Sequence, residues 1–323
     1  MNLTRRQLFA AAGGLALGAS FPALAGGIRV IGGPAFGASW RLTIERRVPL
    51  GSLQRELQAV VSAVDRGMSP FRADSAVTRF NDSISTDWIA LPPEICAVVD
   101  ESLRVARFTM GAFDPTVGPL VGRYGFGPIS REPVGRHGEL ALRVGAVRKA
   151  QPGLSLDLCG IAKGHALDLM ANVVSSSAAG DFLIEVGGEI IARGRHPTGR
   201  RWQVGIESPV AGGVSVRRLL QLDGAALATS GDLVNSYWLA GRRYCHIIDP
   251  RSRLPADNRL ASVSVLAPLA ATADALATAL FVMGERAGVE FARREGISAL
   301  FVAHAGAGLS DVMTGAFAER VLA

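Results

Sequence analysis

Lysine is almost absent from this chain: among 34 basic residues only Lys149 and Lys163 are lysines, and the rest are arginines. Runs of basic residues are also missing, and the formal charge of +6 is spread along the sequence, which excludes the electrostatic footprint of a nucleic-acid binder. The three cysteines, Cys96, Cys159 and Cys245, form no Cys-x-x-Cys pair. That excludes a dense disulfide framework and predicts buried small hydrophobes. No internal repeat or low-complexity linker breaks the sequence, so one large domain or two interlocked ones with a full core are expected. Long apolar runs are lacking too. Leu8 to Leu17 is short, is loosened by Gly13 and Gly14, and is bounded by Gly18 and Pro22, which argues against a membrane span.

What does stand at the start is an address. Thr4-Arg5-Arg6-Gln7-Leu8-Phe9 is a twin-arginine pattern, and Ala23-Leu24-Ala25 offers a small-x-small cleavage site. Residues 1–25 are therefore expected to be a Tat signal and residues 26–323 the functional domain. Gly26 follows the cut, so the Cys that would accept a lipid is missing. The mature protein is expected to be soluble in the periplasm, with no membrane span.

Along the rest of the chain, helical and strand patterns alternate. Leu53, Leu57, Val60, Val61, Val64 and Met68 fall at helical spacing, and Glu94 to Phe108, Ile161 to Ser175 and Thr272 to Met283 read as further helices. Strands are expected at Trp40 to Ile44, Leu154 to Leu158, Phe182 to Val186, Trp202 to Ile206, Ser262 to Leu266 and Leu300 to Ala303. The mixture predicts an α+β fold with sheets covered by helices on one side.

Five segments carry chemistry. Met68-Ser69-Pro70-Phe71 precedes Asp74-Ser75, which alone reads as a helix cap. Gly111 to Leu120, containing Ala112, Phe113 and Asp114, is dense in Gly and Pro, so backbone can approach a flat ligand. Leu156 to Ala166 runs from a strand pattern through Gly160 into a helix, whose free N–H groups suit phosphate. Lys163 on that helix resists the chain's arginine bias, which suits a site needing a compact ammonium; a solvated lysine reads equally well. Glu185 to Ile190 carries paired glycines, read as a close approach or a bulge. The fifth segment spans Ala228 to Asp232, His246 to Pro250 and Thr272 to Leu280. Asp274 and Thr278 lie four apart on one helix face, a pairing that suits Mg²⁺. The ordinary alternative makes Thr272 the helix cap, with Asp274 in the first turn.

Taken in order and spacing, Met68 to Phe71, Phe113 to Leu120, Asp157 to Gly164, Val186 to Glu189, Thr229 to Asp232, His246 to Pro250 and Thr272 to Leu280 resemble the ApbE family of FAD:protein FMN transferases. The resemblance covers about residues 28 to 323, in a Tat-exported, non-lipidated form of the NosX type. It implies an α+β, T-fold-like, two-lobed unit with mixed or antiparallel sheets covered by helices, with FAD held between the lobes. It further implies flavin-nucleotide contacts at Met68, Ala112, Phe113, Asp114, Asp157, Lys163 and Ile248. The implied Mg²⁺ ligands are Gly160 through its carbonyl, Asp274 and Thr278, and His246 corresponds to a candidate base. Cys159, His165 and Ser252-Arg253 depart from the family pattern at the edge of the site.

The implied reaction moves FMN from FAD to a Thr or Ser hydroxyl of another protein and releases AMP. Charge grows on the leaving phosphate oxygen, which a cation at Asp274 and Thr278 and the nearby Lys163 would stabilise. A protein hydroxyl also benefits from a base such as His246; the alternative role for that histidine is to fix the Asp249-Pro250 turn. The implied partner is a flavin-accepting membrane electron-transfer protein, either an Rnf- or Nqr-type subunit or the membrane regulator of nitrous-oxide reduction. Two rival readings are a periplasmic FAD pyrophosphatase, with water as acceptor, and a non-catalytic flavin-binding or assembly protein.

Overall fold

The computed structural model of the chain describes residues 27–130, 136–177, 179–209, 215–233, 235–306 and 308–322. The twin-arginine segment and its cleavage site lie outside the described residues.

The central sheet has eight strands: β1 (Ile28–Ala35), β2 (Ala38–Glu45), β3 (Phe182–Val186), β4 (Glu189–Arg193), β5 (Ala225–Gly231), β6 (Leu260–Ala267), β7 (Ser298–Ala305) and β8 (Gly308–Thr314). Their order across the sheet is their order along the chain, and each neighbouring pair is antiparallel. The α+β expectation holds, with an antiparallel rather than mixed central sheet. Alternation sets the two faces: Ala299 and Phe301 join the core beneath the helices, whereas Leu300 and Val302 join a separate cluster with Trp202, Leu220 and Phe317. A hairpin of Trp202–Glu207 and Val216–Leu222 covers that second face.

The helices are α1 (Leu53–Met68), α2 (Ala76–Asp82), α3 (Pro93–Phe108), α4 (Gly118–Arg123), α5 (Cys159–Ser176) and α6 (Ala270–Arg294). α1 buries Leu53, Leu57, Val61, Val64 and Met68, the stripe its spacing predicts. α5 is apolar on more than one face because it is wrapped. Ile161, Ala166, Leu167, Met170, Ala171 and Val174 are all buried, and each large one stabilises the fold by about 1.5–3 kcal/mol. The first helical stretch of α6 ends at Met283 as expected, because Gly284 at φ 80° leaves the helical conformation, which glycine does without strain; a second stretch continues across this kink to Arg294.

Two expected features differ. Leu154, Ser155, Leu156 and Leu158 are buried, but Leu154 to Leu158 is not a strand. Its backbone bonds go elsewhere: the Leu156 amide donates to Asn81 Oδ1 at 2.7 Å, Asn81 Nδ2 donates back to the Leu156 carbonyl at 2.9 Å, and the Asp157 amide donates to the Pro115 carbonyl at 2.7 Å. An alternating apolar pattern thus reports burial, not sheet pairing. The paired glycines form no bulge. Gly187 and Gly188, with φ 60° and 107°, make the two-residue turn between β3 and β4, and Val186 faces Glu189 across it.

α5 and α6 touch closely at Gly164. A Cβ there would run into the Ala270 carbonyl and come within 2.7 Å of the Ala271 Cα, so only glycine allows the helices to approach as they do.

Candidate active site

That close approach builds the polar centre. The amide of Gly164 donates to Asp274 Oδ2 at 3.2 Å. In a helix the same amide points at the carbonyl four residues earlier, here Gly160, so the carboxylate lies beside the Gly160 carbonyl. Thr278 comes to the same place, since a Cβ on Gly160 would stand 3.6 Å from its Oγ1. Ser230 Oγ on β5 fixes that hydroxyl at 3.0 Å. Asp274 is buried, and burial pushes its carboxyl pKa up while the Lys163 charge opposes the shift.

The helix-cap alternative for Thr272 and Asp274 fails on geometry. Leu269 precedes the first turn of α6, and Asp168 of α5 caps it from outside, accepting from the Ala270 and Ala271 amides at 2.8 and 2.9 Å. Thr272 instead donates to Glu101 at 2.7 Å. Asp274 is thereby left to the centre. Among the described residues no three His, Cys, Asp or Glu side chains gather, so a cation here would rest on one carboxylate with neutral oxygens. A carboxylate, a hydroxyl and a carbonyl are hard donors that fit Mg²⁺, which keeps water and phosphate among its ligands.

Lys163 is one turn along α5 from Gly160. Its Nζ donates to Glu189 Oε1 at 2.5 Å, with the ammonium side chain 36% exposed and the carboxylate 2% exposed. Burial works to lower the Lys163 pKa, but Glu189 and Asp274 outweigh it and hold the amine protonated. Burial pushes the Glu189 carboxyl up, and its Oε2 has no hydrogen-bond partner among the described residues. Glu189 is the acidic partner that sequence reading missed. The glycine turn before it was the available signal, because the turn aims the first residue of β4 at Lys163. Asp168 left no signal, being one polar residue within a helix.

The other expected contacts fall into two groups. Met68, Ala112 and Phe113 are buried in the same core cluster, and the Phe113 ring edge comes within 3.2 Å of where a Gly160 Cβ would be, so that ring adjoins the polar centre. Asp157 accepts from the Cys159 amide at 3.0 Å and packs against Gly118. Asp114 is already engaged: Oδ1 accepts from the amide and hydroxyl of Thr116 at 2.8 and 2.7 Å within its loop, and Oδ2 meets the amide and Nδ1 of His137, 23 residues on, at 3.0 and 3.1 Å. Ile248 is buried in a short pairing of Ile248–Asp249 with Leu254–Pro255. Ser75 caps α2 by accepting from the Thr78 amide at 2.9 Å, the ordinary role read for that segment. Cys96 and Cys245 are buried as expected, but Cys159 is exposed, because it opens α5 where the helix leaves the core.

His246 is half-buried. Its Nδ1 lies 3.3 Å from the Asn235 carbonyl; a carbonyl only accepts, so Nδ1 carries the proton and Nε2 keeps a free lone pair. Burial and the nearby Lys163 charge lower its pKa to about 4, against the Asn235 hydrogen bond. The imidazole is therefore neutral at pH 7. Its bond goes to Asn235 rather than to the Asp249-Pro250 turn, where Asp249 pairs with Arg251.

With this geometry established, comparison with known proteins adds a second line of argument. The ApbE family model matches residues 36–301. The FAD:protein FMN transferase of Vibrio cholerae is 34% identical over 303 residues, covering 89% of this chain and 91% of the relative, and that of Escherichia coli K12 is 32% identical over 299 residues, covering 86% and 85%. In fold, the apo flavinyl transferase ApbE of Pseudomonas stutzeri superposes with a TM-score of 0.82 at 33% identity, covering 91% of this chain and 96% of that one. The flavin transferase ApbE of V. cholerae gives 0.81 at 31% identity, covering 91% and 99%. No helix among the described residues is long and apolar enough to cross a membrane. By sequence, by fold and by the order of its site segments, the chain belongs to the ApbE family.

Proposed function

We propose that this chain is a Mg²⁺-dependent FAD:protein FMN transferase that acts in the periplasm after twin-arginine export. The observation that carries the reading is the meeting of Gly160, Asp274 and Thr278 one helical turn from Lys163, with a neutral histidine inside the ammonium's field. The relatives named above support it.

In the reaction, a Thr or Ser hydroxyl of the acceptor attacks the phosphorus of the FMN half of FAD. The bond from that phosphorus to the bridging oxygen breaks, and AMP leaves with the bonding pair. The hydroxyl proton passes to Nε2 of His246, which is neutral and, among the described residues, has no hydrogen-bond partner at that atom. Lys163, held protonated by Glu189, places a fixed positive charge beside the phosphates. Gly160, Asp274 and Thr278 would hold Mg²⁺, which when bound supplies neutralisation of the pyrophosphate charge. The apolar cluster that holds Met68, Ala112 and Phe113 suits the flat part of the nucleotide. The acceptor is a membrane electron-transfer protein of the Rnf or Nqr type, or the membrane regulator of nitrous-oxide reduction.

The test uses purified protein, FAD, Mg²⁺ and the soluble domain of an Nqr-type acceptor subunit. Flavin fluorescence in a denaturing gel and AMP are measured together. One AMP per labelled acceptor is expected, and no label when the acceptor Thr is changed to Ala. AMP without label would replace the reading with a pyrophosphatase; neither product would leave a flavin-binding protein.

A further inference from the structure

The chain has only three tyrosines, and all three meet on one surface beside His246. Tyr237 and Tyr244 face each other across the hairpin Ser236–Leu239/Arg242–Cys245, with ring centroids 5.3 Å apart and planes within 10°. Tyr124 stacks on Tyr244 at 6.2 Å, and Phe126 stacks on Tyr237 at 5.3 Å. Phe126 then sets its ring edgewise to His246, centroids 6.3 Å apart. Two hydrogen bonds lock the arrangement: the Tyr237 hydroxyl donates to the Tyr124 carbonyl at 3.2 Å, and the Tyr124 hydroxyl to the Arg253 carbonyl at 3.5 Å.

Core packing does not account for this gathering. None of the four rings belongs to any of the three core clusters. Tyr237 is 38% exposed, and the hairpin tip presents Trp238 at 71% and Leu239 at 60%. In a chain with 6% aromatics, a ladder of rings held at the surface and ending on the candidate base calls for a ligand that reaches that base.

The hairpin also carries charge in register with the rings. Alternation along the strand puts Arg242 and Tyr244 on one face; the strand ends at Cys245, and His246 follows in a bend, adjoining the ring surface through the edge of Phe126. Arg243, on the other face, pairs with Asp232, and Cys245 is buried. The Arg242 guanidinium lies 5.5 Å from the centre of the Tyr244 ring and makes an exposed ion pair with Asp257 at 3.1 Å. Among the described residues the hairpin pairs with no third strand, so its edges remain open to main-chain hydrogen bonds.

FAD is one of two substrates. The other must bring a hydroxyl to Nε2 of His246, and the segment carrying it has to cross the surface that adjoins this residue. We propose that the aromatic hairpin face docks the acceptor protein: an extended segment lies along Tyr244 and Tyr237, with its hydroxyl at His246 and an acidic side chain about four residues away against Arg242. The spacing follows from the length of the strand from Arg242 to its end at Cys245, just before His246, and the acidic partner from the guanidinium at its far end. The proposal rests on the transferase reading above.

The experiment is steady-state labelling of the Nqr-type acceptor domain by Arg242→Glu and Tyr244→Ala, with FAD affinity measured separately by quenching of flavin fluorescence. Each variant should raise KM for the acceptor ~10-fold or more and leave the FAD Kd within about twofold of wild type. Arg242→Glu replaces an exposed residue and serves if Tyr244→Ala does not fold. An acceptor in which an acidic residue within about five positions of the labelled Thr is changed to Lys should restore the Arg242→Glu enzyme and weaken the wild type. Unchanged KM in both variants overturns the proposal, as does a parallel loss of FAD affinity, which would make the rings part of the nucleotide site. Failure of the wild type to label any acceptor sinks the transferase reading itself, and the docking face with it.

Discussion

The amide of Gly164 and the carboxylate of Asp274 meet at 3.2 Å, joining α5 to α6 across 110 residues of sequence. The bond exists because Gly164 has no side chain to hold the helices apart. Gly164→Ala should therefore act twice. Overpacking should cost about 1–3 kcal/mol of stability, seen as a lower melting temperature. The displaced carboxylate should also raise the Mg²⁺ concentration needed for half-maximal transfer. A variant that melts lower but keeps the wild-type Mg²⁺ dependence would separate the packing role of this glycine from the proposed metal site.

Asp274→Asn keeps the shape of the side chain and can still accept from Gly164, but loses the only carboxylate in the oxygen cluster. FMN transfer should fall by about 10²-fold or more with the fold intact by circular dichroism. EDTA should abolish wild-type activity, and Mn²⁺, which accepts the same oxygen donors, should restore it. Normal turnover by the variant, or indifference of the wild type to chelation, would remove the metal from these residues.

For His246, the direction of the pKa shift sets the pH profile. A base works in its neutral form, and burial with the Lys163 charge places this pKa at about 4. Transfer should climb as pH rises through about 4 and then stay level to neutrality, with no inflection near the usual histidine value of about 6.5. Stability carries the same sign. The unfolded chain takes up a proton near 6.5 that the native site refuses until about 4, so this contribution is complete above 6.5 and is lost as pH falls across that interval. His246→Ala should cut transfer by about 10²- to 10⁴-fold without changing FAD affinity. Undiminished labelling by that variant would point to Asp249 as the next residue to test.

Sequence legibility followed the range of the interactions. α1 could be read because its stripe is local, and Asp274 with Thr278 because four residues on a helix is a fixed distance. Lys163 stood out only against the chain's preference for arginine. Leu154 to Leu158 was misread because alternation records which side chains are buried, whereas strand formation depends on a neighbour, and here Asn81 and Pro115 take that place. Glu189, Asp168 and the stacked tyrosines act through partners 26 to more than 100 residues away, and nothing local announces such contacts. Each family segment alone was weak. Their order along the chain made them informative, since the sheet threads β1 to β8 consecutively and the helical excursions between strands pack in the core on one of its faces.

Export should depend on the arginine pair. Arg5→Lys together with Arg6→Lys should leave the precursor in the cytoplasm, measured by fractionation and immunoblotting against a periplasmic marker. Normal periplasmic accumulation of the double variant would rule out the twin-arginine route.

The scarcity of lysine has a consequence for handling the folded protein. Lys149 is fully buried, with its ammonium on the carbonyls of Phe80, Asn81 and Leu154 at 3.0, 3.3 and 3.3 Å. Lys163 is kept as an ammonium by the carboxylates around it, and an ammonium is not a nucleophile. Succinimidyl esters and aldehyde fixatives, which need a free side-chain amine, should leave the native chain almost unmarked apart from its amino terminus. Unfolding releases both amines at once, so the onset of amine labelling during heating or denaturant titration becomes a direct optical or mass-spectrometric clock for loss of the native state.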